Sequence, residues 1–404
     1  MSDPLRVLLI TGEYPPMEGG VGDFTHLLGV ALADQGAEVH VLTSAQAATA
    51  DDNDSPSQPG TAAIPGGRSP VRRHALMPSW GWMDLYGRAR QLIQQIRPDV
   101  VNIQYQAAAY AMHPAIHLFP YTLRPIPCVT TFHDLLVPYL FPKAGPLRRQ
   151  AVLTLARSSH AAIVTNPEDE QQLGTISGVA RLIRIPIGSN IPCVLPRGYE
   201  RQAWRERYGI APDACVLCYF GFLNASKGGE DLIDAFDSLC RGGYNVHLLM
   251  IGGEVGASDP TNREYLAHVR RTIVERGLTD RVTWTGFMAS DEVSAAFASS
   301  DVCVLPYRDG VSLRRGSLMA ALTHGMPIVS TEPRVSLPEL VHGGNMLLTP
   351  AANPRKLADT IARLAENEEL RQQLGAGARA LAQEYDWDRI AARTLEVYYD
   401  VAGR

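Results

Sequence analysis

Short apolar runs alternate with helix-compatible segments along nearly the whole chain, and this alternation limits the fold more than any other feature. The first half carries Arg6–Ile10, Val39–Leu42, Val100–Ile103, Cys128–Thr131, Ala162–Val164 and Leu182–Ile185. The second half carries Val216–Phe220, His247–Ile251, Val282–Trp284, Val302–Leu305, Ile328–Val329 and Met346–Leu348. Continuous apolar strands separated by helices predict parallel sheets covered on both faces. Between them, Phe24, Leu27, Leu28, Ala31 and Leu32 fall on one helical face, as do Leu232, Ile233, Phe236, Leu239 and Cys240. The expected fold class is therefore α/β, with two doubly wound parallel-sheet domains.

The join is expected near Ile191-Pro192-Cys193-Val194-Leu195-Pro196, where prolines interrupt regular structure. This gives domains at 1–195 and 196–384. The segment 385–404 carries a stripe of Trp387, Ile390, Ala391, Leu395 and Tyr398. It either packs back on the first domain or caps the second. Ligands of open parallel sheets bind beyond the carboxyl ends of the strands, so two such units facing one another would form a deep cleft.

A length of 404 residues suits about two cores. The apolar share of 46% and charged share of 20% are those of a soluble globular protein. A net charge of -5 argues against a nucleic-acid partner and makes any anion site local. No apolar run reaches the roughly 18 residues of a membrane span, and the N-terminus lacks a signal-like pattern, so a cytoplasmic location is expected. Cys215 and Cys218 form a C-x-x-C inside an apolar strand and read as core rather than as a zinc or redox pair. Residues 44–70 are rich in Ala, Asp, Ser, Pro and Gly and predict a flexible loop, in which Asp51-Asp52-Asn53-Asp54 reads as a solvated acidic turn.

The strongest chemical signal is Asp309-Gly310-Val311-Ser312-Leu313-Arg314-Arg315-Gly316-Ser317, set just ahead of a helix-compatible run. Free N–H groups and the dipole at a helix N-terminus favour an anion, and guanidinium forks match phosphate oxygens. Gly221-Phe222-Leu223-Asn224-Ala225-Ser226-Lys227-Gly228 follows a strand and places Lys227 at another helix start. Gly252-Gly253 follows a further strand and permits close approach of a nucleotide. In the first half, Gly19, Gly20 and Gly22 open a helix after the first strand, without matching G-x-G-x-x-G. Asn102-Ile103-Gln104-Tyr105 and Thr131-Phe132-His133-Asp134 end neighbouring strands and offer polar groups at that edge.

Taken in order, these segments resemble glycosyltransferase family 4, retaining enzymes of the GT-B fold. The resemblance covers essentially the whole chain: Gly19-Gly20-Val21-Gly22, Arg97-Pro98-Asp99-Val100-Val101, Thr131-Phe132-His133-Asp134, Ile185-Pro186-Ile187-Gly188-Ser189-Asn190, Lys227-Gly228, Val282-Thr283-Trp284-Thr285-Gly286 and Ala320–Pro327. Two positions depart from the family pattern. Phe222 stands where the family usually has an arginine. The usual Glu-x7-Glu pair falls on Ser312 and Ala320, unless Asp309 stands for the first glutamate. The Arg314-Arg315 pair of this GVSxRRGS variant would take the charge contacts that Phe222 cannot make.

The resemblance implies an acceptor-side first domain and a nucleotide-sugar-binding second domain. It implies transfer of a sugar from a nucleotide-diphosphate-sugar to a glycan, lipid-linked or small-molecule acceptor, with retention and without a metal or other cofactor. His133, Asp309, Lys227 and Arg314 would carry the reaction. Gly20, Gly22, Phe222, Asn224, Lys227, Gly252, Ser312, Arg314, Arg315, Gly316 and Ser317 would bind the donor. An epimerase on the same fold and a non-catalytic donor-binding subunit are the alternatives. Peripheral contact with the inner face of a membrane is attached to the basic, partly apolar stretch 146–157.

Overall fold

The computed structural model describes residues 3–17, 19–48, 71–135, 147–252 and 260–404. The acidic turn at 51–54, Gly253 and Pro146 lie outside them. Two compact units emerge: Met1–Gly188 with Asp386–Arg404, and Ser189–Tyr385.

The first unit holds a seven-stranded, all-parallel sheet: β1 (Arg6–Thr11), β2 (Glu38–Ser44), β3 (Arg72–Met77), β4 (Val100–Tyr105), β5 (Cys128–Phe132), β6 (Ala161–Val164) and β7 (Leu182–Arg184). Its order is β3-β2-β1-β4-β5-β6-β7, with β1 paired to both β2 and β4. Alternate residues feed opposite faces. Leu8, Ile10, Ile103 and Tyr105 pack in one core, and Val7, Leu9, Val39 and Val41 in the other. Burial of both faces explains why these strands read as unbroken apolar runs. β3 is the exception. Its Arg-Arg-His opening and half-exposed edge position hide it from an apolar pattern.

The helix Gly20–Asp34 covers the second face and buries Phe24, Leu28, Ala31 and Leu32. The helix Trp387–Ala402 lies against it, with Ile390, Ala391, Leu395 and Tyr398 in the same core. The Tyr398 hydroxyl accepts a hydrogen bond from Asn102 Nδ2 at 2.6 Å. Asn102 thus faces the core, where it also pairs with Thr131, instead of offering a polar group at the strand edge. The helix Leu147–Ser158 buries Val152, Leu153, Leu155 and Ala156. Four apolar side chains of the stretch to which membrane contact was attached are thus buried within the unit. Among the described residues, no helix is long and apolar enough to cross a membrane.

The second unit holds a six-stranded parallel sheet: β8 (Cys215–Phe220), β9 (Val246–Ile251), β10 (Val282–Trp284), β11 (Val302–Leu305), β12 (Ile328–Thr331) and β13 (Leu347–Thr349), in the order β10-β9-β8-β11-β12-β13. Cys218 and Cys303 are buried on adjacent β8 and β11, and both are free thiols. The division at Gly188/Ser189 falls seven residues before the expected 195/196 boundary. The intervening proline segment belongs to the second unit, where Ser294 Oγ donates to Pro192 O at 2.7 Å.

Candidate functional site

Two loops meet at the carboxyl ends of β8 and β11. After β8, the Asn224 side chain accepts from Lys227 N at 3.2 Å and from Ser226 Oγ at 2.9 Å, winding residues 225–227 into a single tight turn. Asn224 therefore shapes the turn that carries Lys227. Gly228 closes it at φ 70°, and a Cβ there would lie 1.9 Å from Pro306 O. Only glycine fits this backbone-to-backbone approach.

After β11, Arg308 ties the second loop to the first. Its N–H donates to Ser226 O at 2.8 Å. Its guanidinium forks onto Asp231 at 2.8 and 3.0 Å and reaches Glu230 at 2.9 Å, in the first turn of the helix Gly229–Arg241. The acidic first turn thus has its counter-charge supplied from a distant loop. Gly310 then bends at φ 80°, where a Cβ would meet Glu332 O at 2.7 Å. The chain enters the helix Gly316–Thr323 with Arg315 as its N-cap, and among the described residues no side chain caps the first turn.

Gly221 is the point of convergence. A Cβ placed on it would lie 3.5 Å from Lys227 Nζ and 3.9 Å from Ser317 Oγ. Lys227 and the start of the Gly316–Thr323 helix are therefore neighbours. Arg315 Nη2 is ion-paired with Asp309 Oδ2, and the Arg315 guanidinium lies 4.8 Å from the centre of the Tyr307 ring. Tyr307 is fully buried and its hydroxyl is 2.7 Å from Ser317 Oγ. Asp309 Oδ1 and Arg315 Nε are buried without a hydrogen-bond partner among the described residues. Burial pushes the Lys227 ammonium down to about 8; the nearby Arg315 charge pushes the same way and Asp309 opposes it. At pH 7 the ammonium is still largely charged, so burial and a neighbouring guanidinium set two like charges close together.

The other expected residues distribute as follows. Arg314 and Gly316 are half-buried beside Arg315, and Ser312 is buried with its carbonyl accepting from Arg315 N at 3.2 Å. Phe222 is 44% exposed, so this position presents an aromatic face where an arginine was the usual residue. Gly252 follows β9 at φ 101°, and its N–H donates to Thr285 Oγ1 at 3.0 Å. Ala320 is fully buried, so no side chain reaches out from it.

In the first unit, His133 Nε2 donates to Gln104 Oε1 at 2.9 Å and the ring meets Phe24 edge-on at 4.7 Å. Burial pushes the imidazole down to about 3, so it is neutral at pH 7. Phe24 is itself tilted against Trp387, which couples the His133 environment to the last helix. The N-terminus of the Gly20–Asp34 helix holds an anion of the chain's own. Glu13 Oε1 accepts from Val21 N and Gly22 N at 3.0 and 3.2 Å. Gly20 is open, whereas a Cβ on Gly22 would meet Tyr14 Cα at 3.1 Å, so Gly22 serves packing of the loop.

Sequence reasoning missed Glu13, Tyr307 and Arg308. Glu13 carried a signal, a carboxylate just ahead of a glycine-opened helix. Tyr307 and Arg308 carried none, because their partners are set by the loop path.

Cationic side chains gathered at a helix N-terminus, at the carboxyl ends of parallel strands, form the kind of place where open α/β sheets commonly take anions. The family model described as Glycosyltransferase Family 4 matches residues 18–190, and that described as Glycosyl transferases group 1 matches residues 214–367. The chain belongs to this family of GT-B glycosyltransferases. It is 26% identical to a D-inositol 3-phosphate glycosyltransferase of Pseudarthrobacter chlorophenolicus, over 99% of this chain and 96% of the relative. It is 23% identical to a GDP-mannose-dependent alpha-(1-6)-phosphatidylinositol monomannoside mannosyltransferase of Mycobacterium tuberculosis, over 97% of each chain. Among solved structures, Anabaena HepE in complex with UDP superposes with a TM-score of 0.74 at 19% identity, covering 98% of this chain and 100% of that one. Sucrose-phosphate synthase of Thermosynechococcus elongatus gives 0.73 at 20%, covering 99% and 100%.

Proposed function

We propose that this glycosyltransferase moves a sugar from a nucleoside-diphosphate-sugar to a glycan, lipid-linked or small-molecule acceptor, with retention and without a metal. The observation that carries this reading is the convergence of Lys227 Nζ and Ser317 Oγ on Gly221, beside Arg315 at a helix N-terminus. As the anomeric bond breaks, the leaving diphosphate gains negative charge. Fixed cations and N–H groups aimed at it stabilise the transition state more than the ground state. Lys227, Arg314 and Arg315 with the Gly316 and Ser317 N–H groups supply that stabilisation from the protein alone. Asp309, paired with Arg315, keeps one carboxylate oxygen for a sugar hydroxyl. Front-face attack, with the departing phosphate oxygen taking the acceptor proton, accounts for retention without a carboxylate nucleophile.

The test is release of nucleoside diphosphate from a panel of UDP-, GDP-, ADP- and dTDP-sugars, in EDTA. D-inositol 3-phosphate and a phosphatidylinositol mannoside are the first acceptors to supply, as the substrates that relatives' names carry. Turnover in chelator and an unchanged anomeric configuration in the product are expected. Release from no donor with any acceptor overturns the reading, and turnover that stops in EDTA overturns its metal-free form.

A further inference from the structure

The Tyr307 side chain joins two groups that the chain alone would leave independent. Its ring lies under the Arg315 guanidinium at 4.8 Å, and its hydroxyl meets Ser317 Oγ at 2.7 Å. Both ends of its backbone are fixed. Its N–H donates to Leu305 O at 3.0 Å, and its carbonyl accepts from Thr331 Oγ1 at 2.7 Å and from Gly310 N at 3.2 Å. The side chain is fully buried, so neither contact is a chance of a mobile surface.

We propose that Tyr307 is a positioning residue for the diphosphate of the donor, holding the Arg315 guanidinium and the Ser317 hydroxyl in the geometry that converges with Lys227 on Gly221. This rests on the donor reading given above. Arginine has many rotamers and loses much freedom when one is fixed. A flat aromatic face beneath the guanidinium removes most of that freedom before ligand arrives, and adds a cation–π attraction. Ser317 gains in a second way. Burial pushes the Tyr307 phenol well above its usual range, so its proton stays in place. With Tyr307 donating, the Ser317 proton is left for an incoming phosphate oxygen. The arginine that the family pattern places after the glycine is Phe222 here. Its role passes to Arg315, which reaches the lysine from the opposite loop, and Tyr307 is the residue that makes this second route rigid.

The experiment is titration calorimetry of the full chain with UDP, GDP, ADP and dTDP at pH 7. The variants are Tyr307→Phe, Ser317→Ala and their double, then Tyr307→Leu, Arg315→Met and their double. Tyr307→Phe keeps the ring and removes only the hydroxyl. It is expected to weaken the best-bound nucleotide about three- to tenfold, as loss of one hydrogen bond does. The double with Ser317→Ala should be no weaker than the worse single variant. Tyr307→Leu should weaken binding about tenfold beyond Tyr307→Phe when Arg315 is present, but in the Arg315→Met chain only by about the three- to tenfold of the lost hydroxyl, because the ring acts through Arg315 and groups acting through one another are not additive. Tyr307→Phe affinity equal to that of the natural chain, or effects that multiply in the Phe/Ala cycle, overturn the positioning role while leaving the donor reading intact. Should Tyr307→Leu fail to fold, the Phe/Ala cycle decides. A natural chain that binds none of the four nucleotides at millimolar concentration overturns both.

Discussion

Asp309 and Arg315 form an ion pair through Oδ2 and Nη2, both side chains are mostly shielded from solvent, and Oδ1 and Nε remain without hydrogen-bond partners among the described residues. The pair is thus strong but incomplete. Asp309 neutralises half of the positive charge that Lys227 and Arg315 would otherwise present. Asp309→Asn should therefore tighten UDP or GDP binding several-fold at pH 7, by calorimetry, while turnover falls. It should also lower stability by about 3 kcal/mol, since removing one partner leaves a shielded charge uncompensated. Unchanged affinity together with unchanged turnover would remove Asp309 from the site.

If Lys227 meets the donor diphosphate as proposed, it should set a pH limit on nucleotide binding. Its ammonium titrates at about 8 in the free protein, pushed down by burial and then by Arg315. A diphosphate beside it favours the charged form and raises that value. Binding then takes up a proton between about pH 8 and the raised value of the bound state. Affinity should be flat below that window and fall about tenfold per pH unit within it. Arg315→Met removes one of the two causes, so the break should move upward. A break that stays at the same pH in the variant would place Arg315 away from Lys227.

The sheets were legible in the sequence because parallel strands buried on both faces leave continuous apolar runs. β3 escaped because Arg72, Arg73 and His74 fill an edge where one side stays wet. Lys227, Arg315 and Ser317 stood out because glycines and a helix start sit next to them in the chain. Their supports did not. Arg308 reaches Asp231 across 77 residues, and Asn102 reaches Tyr398 across 296. No local pattern encodes such a meeting; it follows from the path of the loops and the docking of the last helix.

Acid should weaken the first unit through its histidines. The imidazole of His74, stacked on His40 at 5.2 Å, is held down to about 4 by burial, and that of His133 to about 3. In the unfolded chain both charge below about 6.5. Between 6.5 and 4 the unfolded state binds more protons, so stability is full above 6.5 and declines as pH falls through that window. Each histidine contributes a slope of about 1.4 kcal/mol per pH unit. Glu13, raised above its usual range by burial, works in the opposite direction just above pH 4.5. Urea unfolding at several pH values should show the slope. His74→Gln should reduce it by about one proton, and an unchanged slope would mean that His74 is charged in the native state.

Gly228 offers the sharpest structural test, because two costs that usually come mixed can be separated. At Gly228 a Cβ meets a left-handed backbone, φ 70°, and also lies 1.9 Å from Pro306 O. At Gly243 the backbone is equally left-handed, φ 82°, and none of the described residues lies within 4 Å of a Cβ there. Gly243→Ala should thus cost only the conformational strain, about 1 kcal/mol. Gly228→Ala must also push the lysine turn away from the end of β11, and a forced shift of packed backbone belongs to the exceptional class of about 4 kcal/mol or more. Urea titration of the two variants separates the terms. The same displacement carries Lys227 away from Ser317, so any folded Gly228→Ala protein should lose nucleoside-diphosphate affinity, while Gly243→Ala keeps it. Equal destabilisation by the two substitutions would mean that the turn and the β11 loop do not touch, and with that contact the cradle itself would come apart.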